Sequence, residues 1–169
     1  EKYYLPAMVV AYSKNMRNAM IRETVKAAQI AAMKAGDKDR TAATRSILAK
    51  FKDKDIELRT KDDARDEDAI LIDVLQKMAK QRRESIDMFE SGGRAELAAA
   101  EQKELAVIEE FLPAQLSEAE TAALIDGIKT ELGADGMKDM GRVMGELKKR
   151  HGTEIDMSKA STLVKAALS

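Results

Sequence analysis

The sequence predicts an all-helical protein, and three observations carry that expectation. Of its 169 residues, 44% are hydrophobic and 35% charged, with only two prolines, a balance that suits long amphipathic helices. Apolar residues return at intervals of three and four along successive segments, as one face of a helix requires. No stretch of useful length alternates in the manner of a strand, which removes a parallel sheet and a nucleotide-binding crossover from consideration.

The elements follow in order. Residues 1–19 stand apart: they hold Tyr3, Tyr4 and Tyr12, together with Pro6 and the apolar run Ala7 to Ala11. They are expected to be an added or upstream extension, with a native helical arm as the alternative. Helical periodicity begins at Met20, and Ile21, Val25, Ala28 and Ala32 mark the inner face of a helix ending near Gly36. Asp37 or Asp39 can cap the next helix, which directs Thr44, Ile47, Leu48, Phe51 and Leu58 inward. A polar connector, Lys61 to Asp66, supplies acids to the start of a third helix, where the helix dipole favours them. That helix carries Ile70, Leu71, Val74, Leu75, Met78, Ile86 and Phe89 at helical spacing and stops at Gly92 and Gly93. Its basic run Lys77, Lys80, Arg82 and Arg83 has Glu84 and Asp87 as intrahelical partners, and could also meet phosphate. A fourth helix, from about Arg94 to Leu112, turns Leu97, Leu105, Ile108, Phe111 and Leu112 inward.

Pro113 then ends the helical ladder and biases Leu112 out of the helical region. Ser117 and Glu120 have the spacing of a capping box, so a boundary falls between residues 113 and 117. The helix that opens there buries Leu124, Ile125, Ile128 and Leu132 and leaves through Gly133 and Gly136, read as left-handed exits. A further helix over residues 137–150 places Met140, Val143, Met144 and Leu147 on its apolar face. At about 100° per residue, Lys138, Arg142 and Lys149 share the opposite face within roughly 40°. Gly141 and Gly145 lie beside that stripe as a shoulder without side chains, and Lys148, Arg150 and His151 add charge at the helix end. Such a surface can receive phosphate. The bland alternative is a solvated helix side, interrupted by Glu146, whose glycines accommodate a closely packed neighbouring helix.

Several classes of chemistry are absent. There is no cysteine, hence no disulfide, thiolate nucleophile or cysteine metal site. His151 is the single histidine, so neither a metal centre nor a cofactor is expected. The acidic connector lacks the spacing and turn glycine of a calcium loop. No run reaches the roughly 18 apolar residues of a membrane span, and the expected address is cytoplasmic. With a formal charge of −1 and a pI near 6.0, any nucleic-acid contact depends on local clustering of cations.

Three segments in sequence order, KQRRESIDMFESGGRAELA, EEFLPAQLSEAE and DMGRVMGELKK, resemble the GatB/YqeY family over nearly the whole chain beyond the extension. The likeness is to freestanding YqeY-like proteins, related to the tail domain of the B subunit of the tRNA-dependent amidotransferase. The resemblance implies an N-terminal helical bundle over residues 20–112 and a small three-helix tail module over 113–169, its last helix running from Met157 to Leu168. In the amidotransferase relatives the tail helps to hold tRNA while other parts perform transamidation. Gly141, Val143, Met144 and Gly145 are the family-like positions of the tail.

The resemblance also brings the label carbon-nitrogen ligase with glutamine as amido donor. Glutamine hydrolysis needs an activated nucleophile, and this chain has no cysteine, while Ser91 merely precedes a helix-stopping glycine pair. The phosphate loop G-x-x-x-x-G-K-[ST] is also missing. The expectation is therefore an accessory protein that binds tRNA or another structured RNA through its tail and lacks a self-contained catalytic site. Its candidate binding residues are Lys138, Gly141, Arg142, Gly145, Lys148, Lys149 and Arg150. Alternatives are a protein-interaction adaptor with a groove of Met137, Met140, Met144 and Met157, and a non-catalytic subunit of an amidotransferase assembly.

Overall fold

The structure, a computed structural model, describes residues 21–61 and 63–169. The expectation for residues 1–19 lies outside the described residues. Among those described there are seven α-helices and no strand: α1 (Ile21–Ala35), α2 (Lys38–Leu58), α3 (Glu67–Ser91), α4 (Ala95–Phe111), α5 (Glu118–Leu132), α6 (Met140–His151) and α7 (Met157–Leu168). A 3-10 turn over Met137–Asp139 precedes α6. The chain divides into two compact units, the first ending at Leu112 and the second running from Pro113 to Ser169.

The first unit is built on a core of Val25, Ile47, Phe51, Leu71, Leu75 and Ile108. Its helix starts are set by side-chain caps: the Asp37 carboxylate accepts the Arg40 N–H at 2.9 Å, and that of Asp66 accepts the Ala69 N–H at 3.1 Å. Gly36 and Gly93 take positive φ of 71° and 67°, which glycine adopts without a Cβ clash. Thr44 is fully buried, and its hydroxyl donates to the Arg40 carbonyl at 2.8 Å, so no polar group is stranded there.

Two details differ from the periodic reading. Leu97, expected inside, is 42% exposed, and Ala98 is buried instead. Leu97 stands in the first turn of the helix, where its side chain meets solvent although it lies about 20° from Ile108 on the helical wheel. The basic run of α3 finds its main partners on α4. Arg82 lies 2.9 Å from Glu101 and 3.2 Å from Glu104, and Arg83 lies 2.9 Å from Glu109. These arginines zip two helices together, which occupies two of the four cations that the sequence offered to phosphate, while Lys80 lies 3.8 Å from its expected intrahelical partner Glu84.

The second unit packs α5, α6 and α7 around Ile125, Ile128, Val143, Leu147, Ile155, Ala160 and Val164. The capping box forms as spaced in the sequence: Ser117 Oγ accepts the Glu120 N–H, and the Glu120 carboxylate accepts the Ser117 N–H at 2.8 Å. Leu112 is extended ahead of Pro113, as the proline ring requires. The stretch that follows is tied to the α6–α7 turn, with the Leu116 N–H donating to the Glu154 carbonyl at 2.8 Å. Gly133 ends α5 in the left-handed region, at φ 59°. Gly136, at φ −169°, is extended backbone that any residue adopts, so the second expected left-handed exit does not form.

Candidate nucleic-acid interface

The candidate residues lie around α6, and the 3-10 turn before it decides how they are arranged. Lys138 belongs to that turn, so its position does not follow the 100° step that governs α6. Its side chain is largely exposed, with Nζ 3.4 Å from the Asp135 carboxylate. The turn is locked by Asp139, one of few buried charged residues among those described. Its carboxylate accepts the Asp135 N–H at 3.3 Å and the Arg142 guanidinium at 2.9 Å. Burial alone would raise the Asp139 pKa, but the Asp135 N–H and Arg142 outweigh it and hold the carboxyl below its ordinary range.

Arg142 thus works locally. Besides binding Asp139, it donates to the Leu132 carbonyl at 3.3 Å, joining the end of α5 to the start of α6. Arg150 is engaged twice, donating to Glu146 at 2.7 Å and to Glu131 at 2.8 Å. This pairing also answers the interruption of the basic surface by Glu146. Hydrogen bonding from Arg150 keeps the Glu146 carboxyl below its ordinary pKa and its charge matched.

Lys148 and Lys149 are different. Both are exposed, and neither makes an ion pair among the described residues. On α6, Gly141, Gly145, Lys148 and Lys149 fall within an arc of about 100°, facing away from Val143 and Leu147. Lys148 stands in the last turn of α6, as read from the sequence, and on the helical wheel it flanks the glycines on the side opposite Lys149. A Cβ placed on Gly141 or Gly145 would meet nothing within 4 Å. The close-packed neighbouring helix that could have explained these glycines is therefore not present among the described residues. What remains is a helix face with room beside its two glycines and two exposed ammonium groups outside ion-pair distance of any described carboxylate, Lys149 lending its field to Glu146.

The rest of the unit offers little reactive chemistry. His151 Nδ1 lies 3.2 Å from Glu154 Oε2, a local contact at the helix end. Among the described residues no group of three or more His, Cys, Asp or Glu side chains is placed to hold a metal ion. None of the described helices is long and apolar enough to cross a membrane. Met140 and Met144 pack against the tail core, and Met137 is exposed.

Comparison with known proteins adds relatives to this geometry. A protein of Eremothecium gossypii named altered inheritance of mitochondria protein 41, mitochondrial, is 40% identical over 103 residues, covering 60% of this chain and 55% of the relative. Its namesake in Saccharomyces cerevisiae is 32% identical over 122 residues, covering 69% and 64%, and that of Lachancea thermotolerans 38% over 104 residues, covering 60% and 54%. The chain thus spans between 54% and 64% of the length of these relatives. Their names place them in mitochondria, and the cytoplasmic address expected by default from the sequence is corrected on that finding. That default had no positive signal behind it, only the want of a membrane span. The family model described as Yqey-like protein matches residues 22–168, and the chain belongs to that family.

Proposed function

We propose that this protein is an accessory RNA-binding protein that takes tRNA or another structured RNA on the exposed face of α6. The observation that carries this reading is the conjunction of Lys148 and Lys149, exposed and without ion pairs among the described residues, with a helix surface left open at Gly141 and Gly145. Lysines in that state can neutralise phosphates without first breaking an internal pair. Arg142 and Arg150 would have to surrender theirs, so their part is to hold the surface in shape. Lys138, tethered loosely to Asp135, extends the basic edge. The mitochondrial names of the relatives make organellar tRNA the class to test first.

The test is a fluorescence-anisotropy titration of the full chain against deacylated tRNA at several salt concentrations. Each phosphate contact contributes about 0.9 to the slope of log affinity against log salt on a duplex. With two or three lysines engaged, the expected slope is about −2 to −3. Replacing Lys148 and Lys149 together by glutamine is expected to weaken binding and flatten that slope by about 2. Absence of binding at low salt, or a double variant that binds as the parent does, would remove the proposed interface.

A further inference from the structure

Beyond the RNA reading of α6, and independent of it, we infer that the outer face of α2 is a docking seam for an acidic helix of a partner protein. Lys38, Arg45, Lys52 and Arg59 stand seven residues apart, and all four are exposed. At 1.5 Å per residue they are spaced about 10.5 Å along the axis, over roughly 32 Å in all. Arg59 is the C-cap of α2 and keeps helical φ and ψ of −65° and −22°, so it continues the line. None of the four side chains has an ion-pair or hydrogen-bond partner among the described residues, although the same unit commits Arg22, Arg40, Arg65, Arg82 and Arg83 to carboxylates. Three or four positions from them, α2 offers a single acid, Asp55, and Arg22 holds both of its oxygens at 2.8 and 3.0 Å. The fold thus leaves a nearly straight row of cations unanswered.

What lies between the cations says what kind of group answers them. Ala42, Ala49 and Ile56 are exposed too, so solvent-facing residues recur at intervals of four and three along α2, opposite the buried Ile47 and Phe51. That is the spacing of a coiled-coil seam, with Ala, Ala and Ile at the a positions and cations at d. Alanine lets a second backbone come close, and Ile56, 51% exposed, holds an apolar side chain half in solvent. Phosphates would be met by the cations alone and have no use for this alternation, whereas a partner helix uses both kinds of position. A second copy of α2 does not fit, because its own cations would enter the same seam and repel. The complementary surface is a helix with Glu or Asp at every seventh residue and apolar side chains at the alternate seam positions. Asp53, beside the seam, is drawn away from it and lies 3.8 Å from Lys50.

The probes are three-heptad helical peptides with Leu and Glu at the seam, in both assignments to a and d so that parallel and antiparallel docking are each offered. A scrambled isomer of the same composition and a short RNA duplex serve as controls. The full chain, its Lys38→Gln/Arg45→Gln/Lys52→Gln/Arg59→Gln variant and its Ala42→Arg/Ala49→Arg variant are titrated with each by fluorescence anisotropy, with helicity checked by circular dichroism. The arginine variant raises the positive charge but fills the seam, which separates packing from charge alone. The parent is expected to bind one of the acidic peptides about tenfold more tightly than the scrambled isomer, and more weakly as salt rises. The four-glutamine variant is expected to lose about tenfold, as four half-exposed ion pairs together supply. The arginine variant is expected to bind the peptide more weakly than the parent despite its greater charge. Equal binding of the scrambled isomer, equal or tighter binding by the arginine variant, or no peptide binding at low salt overturns the seam. So does a preference for the duplex that the four-glutamine variant loses, which would make the stripe a phosphate-binding surface. None of these outcomes touches the α6 reading, whose test is the Lys148→Gln/Lys149→Gln variant.

Discussion

Substituting glycines in the tail isolates how much stability the open backbone costs. Gly127 in α5 and Gly145 in α6 both lie in helix interiors with nothing within 4 Å of a Cβ. Alanine at each position removes backbone freedom from the unfolded chain without a clash, which in a helix interior is worth about 1 kcal/mol. The two sites are on different helices, so their effects add to about 2 kcal/mol. For a unit of this size, about 1 kcal/mol moves the melting temperature by roughly 4–8 °C, so the double variant is expected to gain roughly 8–16 °C. Gly152 is the internal control. There an added Cβ would sit 2.5 Å from the Lys148 carbonyl oxygen and 3.3 Å from the Lys148 Cγ. Gly152→Ala must therefore displace backbone and is expected to lower the transition. The assay is thermal and urea unfolding followed by circular dichroism, with the two units fitted as separate transitions where they melt apart. A Gly127→Ala/Gly145→Ala variant that melts below the parent would refute the claim that these positions face open space.

The other predictions concern the cores, the cap and the pH response. Phe51→Ala in the first unit and Leu147→Ala in the second, both fully buried, are each expected to cost about 3–5 and about 2–5 kcal/mol in chemical denaturation, and each should shift its own unit. Ser117→Ala removes one half of the capping box and is expected to cost about 1 kcal/mol in the same measurement. Asp139, held below its ordinary pKa, contributes stability that is present above the unfolded carboxyl pKa of about 4 and is lost as pH falls through the folded value. Asp63, drawn down to about 2 by Arg65, acts with the same sign in the first unit. Asp68 has the opposite sign: burial raises its pKa, so its ionisation opposes folding and protonation relieves it as pH falls. Acid titration of the unfolding midpoint should thus be flatter in Asp139→Asn than in the parent, and an unchanged profile would sink the assigned role of that carboxylate.

The helices and most of their limits were legible in the sequence because their causes are local. Asp37, Asp66 and Ser117 stand where caps are needed, Pro113 interrupts the ladder, and apolar spacing marks Phe51, Leu75, Ile128 and Leu147 as core. The sequence likewise determined that the tail carries basic residues and glycines together but no Phe, Tyr or Trp. Tertiary structure decided which of those charges are spent. Arg142 lies about 20° from Lys149 on a helical wheel and Asp139 and Glu146 are within local reach of Arg142 and Arg150, yet the Leu132 carbonyl and Glu131 that also hold these arginines come from α5. Arg82 and Arg83 are matched by acids 19 and 26 positions away on α4, beyond the reach of any intrahelical rule. The glycines needed the fold for the same reason: a short sequence window cannot tell a helix face packed against its neighbour from one left bare, since the neighbour is placed by the whole chain.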